Sequence, residues 1–205
     1  MVQDDSRTVA RPEPRSASDE TLLDAAIEVV SAHGYLGATT RRIAATAGVN
    51  EVTLFRRFGS KQALISQAVM REANRLVADA VDGGEIGADL LAFCRSYQRI
   101  VADRAPFIAV LISEAPRHPE LREVLNGPLR AFRAVSRIIS RGQETGQLRR
   151  EPPMAATITL LAPLLAHAFL GRAVGDGIVP ALDLEEHVRC FLRGRAPDPS
   201  TSEDS

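Results

Sequence analysis

Aromatic residues make up only 4% of this 205-residue chain, and lysine occurs once, at Lys61. Cysteine is almost as scarce. Cys94 and Cys190 stand far apart without CxxC spacing, which argues against a disulfide framework and a thiolate zinc site. Both are expected as small buried apolar groups, where free thiols usually sit. No nucleophile elbow, phosphate-cradling glycine loop, HExxH or close carboxylate pair occurs, and Gly83-Gly84 lacks the lysine and Ser/Thr of a P-loop. His33, His118 and His187 are scattered singles. Neither an enzyme nor a metal site nor a bound cofactor is therefore expected. The apolar run from Met154 to Leu170 is interrupted by Pro163 and His167 and reads as too short for a bilayer. The first residues carry Asp4 and Asp5 where a signal peptide needs a basic and then an apolar stretch. No membrane association and a cytoplasmic location follow as expectations.

What the chain does contain is aliphatic residues and arginine. At 45% hydrophobic it has enough apolar material for one or two small domains with a core. A net charge of −1 argues against an architectural protein that coats nucleic acid without discrimination. The distribution is uneven, however. Between Thr39 and Arg75 lie Arg41, Arg42, Arg56, Arg57, Lys61, Arg71 and Arg75 against only Glu51 and Glu72. Both ends are rich in Pro, Ser, Asp and Glu, which bury too little apolar surface to order themselves, so 1–17 and 195–205 are expected as tails.

Between the tails the periodicity is helical throughout, and an all-α fold is expected. Ser18 or Asp19 caps a first helix that Gly34 ends. Thr39 or Thr40 caps a short second one stopped by Gly48, Asn50 caps a third, and Ser60 a fourth and longer one. Beyond Asp82-Gly83-Gly84, helices are expected at about 86–103, 106–114, 119–142 with a disturbance at Gly127-Pro128, 152–174 and 182–192, with Pro106, Pro119 and Pro152 in first turns. Two short helices joined at a glycine, the second polar-capped and basic, describe a helix-turn-helix. Val49 and Leu54 pin its second helix and leave Asn50, Glu51, Thr53, Arg56 and Arg57 facing outward, toward base edges and phosphates. An ordinary helical hairpin with a solvated charged face has the same spacing.

The stretch TTRRIAATAGVNEVTLFRRFGSKQALISQAV resembles the signature of the TetR family of bacterial repressors over about Leu22 to Val69. The resemblance implies a three-helix helix-turn-helix DNA-binding domain, 18–64, and a C-terminal helical bundle, 65–194, for effector binding and dimerisation. It also implies that Thr40 caps the second helix against a phosphate, Arg41 reaches a base or the backbone, Glu51 and Thr53 face bases, and Lys61 touches a phosphate. Phe55 replaces the usual Tyr and removes a phosphate-donating hydroxyl, a loss that Arg56 and Arg57 could restore. Val52 stands where a small residue is frequent and could meet a thymine methyl. Glu51 either accepts from a cytosine amino group or only favours the positive end of its helix or pairs with a neighbouring Arg.

The expected function is a transcriptional regulator, a repressor released from a palindromic double-stranded DNA operator by an unknown small-molecule effector. The alternative is a ligand-binding helical protein or bundle enzyme with a vestigial helix-turn-helix. One motif reads few base pairs, so a homodimer is expected, with 152–174 and 182–192 as the interface. Phe93, Tyr97, Phe107, Leu111, Phe132, Leu161, Leu165, His167 and Phe169 are candidates to line an effector pocket, or are simply core. Arg130, Arg133, Arg137 and Arg141 share one face, read as solvated or ion-paired.

Overall fold

The structure, a computed structural model, describes residues 18–79, 83–175 and 177–196. Residues 1–17, 197–205 and Asp82 of the expected break lie outside the described residues. Among the described residues every regular element is a helix: α1 Asp19–Gly37, α2 Thr40–Thr46, α3 Glu51–Phe58, α4 Lys61–Asp79, α5 Ile86–Glu114, α6 Leu121–Val124, α7 Asn126–Glu144, α8 Pro153–Val174 and α9 Leu184–Arg193. The sequence's all-α reading holds, and its caps hold in detail. Ser18 accepts from the Thr21 amide at 3.2 Å, Asn50 from Val52 at 2.9 Å and Ser60 from Ala63 at 3.0 Å.

Two apolar cores form. The first joins α1, α2, α3, the start of α4, the end of α5 and α6 around Leu22, Ile43, Leu54, Leu64 and Phe107. The second joins the first part of α5 to α7, α8 and α9 around Phe93, Tyr97, Ile139, Leu160 and Leu161, with Leu76 of α4. A boundary at residue 64 therefore falls inside α4, whose Leu64 and Ile65 lie in one core and Leu76 in the other.

Several sequence expectations are corrected. Helix α5 runs unbroken through Pro106 instead of restarting there. The carbonyl that this proline leaves without an N–H belongs to exposed Ala102, where water can satisfy it. Helix α8 continues through Pro163 as expected, the missing N–H facing exposed Thr159. At 22 residues α8 is long and apolar enough to cross a membrane, so the length objection fails. Its packing places it in the bundle, with Ala156, Leu160, Leu161 and Leu164 buried. The expected 119–142 helix starts at Leu121 and divides at Leu125 into α6 and α7; next to the division Gly127 lets α7 approach α4, where an added Cβ would stand 3.0 Å from Val69 Cγ1. Cys94 is buried as expected; Cys190 is exposed, its Sγ 3.0 Å from Glu186 Oε1. Arg195, assigned by composition to a tail, is held by Glu151 at 2.5 Å and lies over the Phe191 ring.

Candidate nucleic-acid interface and effector cavity

The turn between α2 and α3 depends on Gly48, whose φ of 68° suits glycine. The amides of Gly48 and Val49 close back on Ala45 and Ala44 at 3.1 and 3.0 Å. Buried Leu54 and Phe58 fasten α3 to the core, so its other side is offered outward. That side carries two large apolar groups, Val52 at 71% and Phe55 at 47% exposure, together with exposed Arg56. Asn50 and Arg41 are exposed, and Thr53 half-buried, around the same motif.

Three expected contacts have internal partners. Thr39, not Thr40, is the cap of α2, accepting from the Arg42 amide at 3.2 Å, because it alone keeps extended backbone geometry before the first turn. Thr40 instead donates its hydroxyl to Glu51 Oε1, tying the first residue of α2 to the first residue of α3. Arg57 pairs with exposed Asp19 of α1 at 3.2 Å. Lys61 donates from Nζ to the Tyr35 carbonyl at 2.8 Å and stands 4.0 Å over that ring. Burial lowers the Lys61 pKa, opposed by Glu120 and Glu114.

The apparent basic run also thins out. Arg71, with a side chain only 10% exposed, donates to Glu20 at 2.7 Å, Asp24 at 2.6 Å and Glu72 at 2.8 Å. Arg75 and Arg104 lie 3.2 and 3.5 Å from Glu72, and Arg104 lies 3.8 Å from Asp24. Three guanidiniums thus meet three carboxylates where α1, α4 and α5 join. Arg71 and Arg75 belong to this joint. Sequence inspection missed it, since only the four-residue spacing of Glu20 and Asp24 hinted at one acidic face on α1.

Beside the joint lies a cavity of about 170 Å³. It gathers Tyr97, Phe107, Leu111, Phe132 and Leu165 from the sequence-derived pocket candidates and adds Glu72 and Arg104. The other candidates stand elsewhere: Phe93 and Leu161 are buried in the second core, while His167 bonds through Nε2 to the Pro180 carbonyl at 2.6 Å. On α7, Arg141 pairs with Asp89 at 3.3 Å, whereas Arg130, Arg133 and Arg137 edge an open groove. No group of three or more His, Cys, Asp or Glu able to hold a metal occurs among the described residues.

Comparison with known proteins accords with this geometry. Residues 22–68 match the family described as bacterial regulatory proteins, tetR family, and residues 80–185 match a tetracyclin repressor-like C-terminal domain. An uncharacterised HTH-type transcriptional regulator of Mycobacterium bovis is 32% identical over 114 residues, a match spanning 56% of either chain. The chain thus covers little more than half the length of that relative. A DNA-binding transcriptional repressor of Mycobacteroides abscessus is 30% identical over 182 residues, covering 82% of this chain and 94% of the relative. Among solved structures, a TetR family transcriptional regulator of Thermus thermophilus superposes with a TM-score of 0.62 at 22% identity, over 84% of this chain and 94% of that one.

Proposed function

The chain belongs to the TetR family of bacterial regulatory proteins, and from that premise we propose that it is a dimeric, DNA-binding transcriptional repressor that a small-molecule effector releases from a palindromic operator. The observation that carries the reading is the helix-turn-helix itself. Its α3 is fastened by Leu54 and Phe58 and offers Val52, Phe55 and Arg56 outward. Val52 and Phe55, exposed on α3, suit apolar contact with thymine methyls in a major groove. Arg41 and Arg56 supply phosphate or base contacts around them.

Dimerisation is read from α8, where Ile158, Leu170 and Val174 are 51%, 54% and 44% exposed. A second copy would cover them and set two α3 helices about one DNA turn apart. The cavity abuts the ion-paired joint that holds α1 to α4 and α5. An effector there would bias the joint, and with it the separation of the recognition helices, between two states. We assign no catalytic role. The relatives' names, regulator and repressor, favour this reading over a bundle enzyme with a vestigial motif. The test is binding to a duplex taken from upstream of the protein's own gene. Saturable binding that competing unrelated duplex does not remove is expected, and equal affinity for every sequence would overturn it.

A further inference from the structure

The cavity between α4, α5 and α7 has walls of side chains such as Val69, Leu76, Ile100, Ile108 and Leu111, with three polar residues among them. Two of these, Glu72 and Arg104, are already engaged. Glu72 accepts from Arg71, Arg75 and Arg104, and the surrounding joint balances three positive against three negative groups. An ionised ligand would lose its hydration and meet no uncompensated opposite charge.

The third polar residue is different. Tyr97 is only 6% exposed and lines the cavity, its hydroxyl open to the cavity and unengaged by protein groups among the described residues. Its ring is held between Phe93, at 6.3 Å between centroids, and Phe132, at 6.1 Å edge to face. Burial pushes its pKa up to about 12, so the hydroxyl stays neutral and can both donate and accept. No buried side-chain oxygen or nitrogen among the described residues lacks a partner, so the Tyr97 hydroxyl is open to solvent through the cavity, and a ligand that displaces this water must supply the hydrogen bond itself.

Resting on the reading of this cavity as the effector site, we propose that its ligand is a small uncharged molecule with an apolar body and one alcohol or carbonyl oxygen that pairs with Tyr97. The volume limits the body to about one ring, since a cavity of roughly 150 Å³ takes a benzene.

The experiment is calorimetric titration of the full chain, without DNA, using benzyl alcohol, toluene, benzoate and benzylammonium as probes. Benzyl alcohol is expected to bind about fivefold more tightly than toluene, the worth of one neutral hydrogen bond. Benzoate and benzylammonium should bind about a hundredfold more weakly or not at all. In Tyr97→Phe the preference for the alcohol over toluene should vanish while toluene binding persists. Ala73→Phe, which fills the cavity, should abolish binding of both; if it does not fold, the Tyr97→Phe comparison still decides. No heat from benzyl alcohol, equal binding of benzoate, or an unchanged alcohol preference in Tyr97→Phe would each overturn the proposal. Because no DNA is present, these outcomes are independent of the operator test: a cavity that fails leaves DNA recognition standing, and the reverse also holds.

Discussion

The Glu114 carboxylate at the end of α5 accepts the backbone N–H of Tyr35, 79 residues earlier, at 3.2 and 3.3 Å. Gly34 makes this approach possible, since its φ of 70° breaks α1 and an added Cβ would stand 2.7 Å from Glu114 Oε1. Tyr35 is buried, so Glu114→Ala leaves its amide without a partner. Urea unfolding should show a loss of about 1–3 kcal/mol. Gly34→Ala should cost a similar amount through the strained φ and the crowded carboxylate, about 1–3 kcal/mol. Unchanged midpoints in both would mean that water replaces the contact.

The bond from Thr40 to Glu51 sharpens the question of what this acid does in a recognition helix. A carboxylate occupied by its neighbour and placed at the positive end of α3 has no need of a base. Glu51→Gln is therefore expected to change affinity about equally for every operator variant and leave the base-preference profile unmoved. Selection from a randomised operator library at one fixed salt concentration checks this. A changed preference at one symmetric position would restore the base-reading role. In a double-mutant cycle with Thr40→Val the two substitutions should be non-additive.

Arg56→Ala should lower operator affinity and reduce the slope of log affinity against log salt by about one. Arg57→Ala should change the slope less, because its guanidinium also pairs with Asp19. The Arg57 change is expected instead to lower stability slightly, within about 1 kcal/mol for an exposed pair. Binding titrations across a salt series and thermal melts separate the two. Identical slopes for both variants would refute the distinction.

Leu165 lines the cavity, whereas Leu170 is 54% exposed on α8 and so tests the dimer. Leu170→Arg costs an isolated subunit little but would bury an unpaired charge in a dimer. Analytical ultracentrifugation should show a folded monomer with operator affinity lowered at least tenfold. An intact, DNA-competent dimer would place the interface elsewhere.

Much of the N-terminal unit was legible because its signals are local. A Ser, Thr or Asn oxygen caps a helix within three residues, and Gly48 marks a turn through its own backbone. The choice between Thr39 and Thr40 as cap lay beyond that, since the spare hydroxyl was claimed by Glu51 across the turn. Proline misled the reading of α5 at Pro106, because a proline's effect depends on whether the carbonyl it orphans meets water.

By itself the sequence determined the helical class, the helix-turn-helix with its glycine turn, and which residues of α3 are apolar or basic, all set by side-chain chemistry within a few residues. Only the tertiary structure decided which charges remain for a partner. Arg71, Arg75 and Arg104 lie close in space to Glu20, Asp24 and Glu72, although up to 84 positions separate the members of the joint. Ion pairing and burial depend on distance through space, so a basic run in one dimension became a neutral joint beside a cavity. The same packing left the Tyr97 hydroxyl open to that cavity.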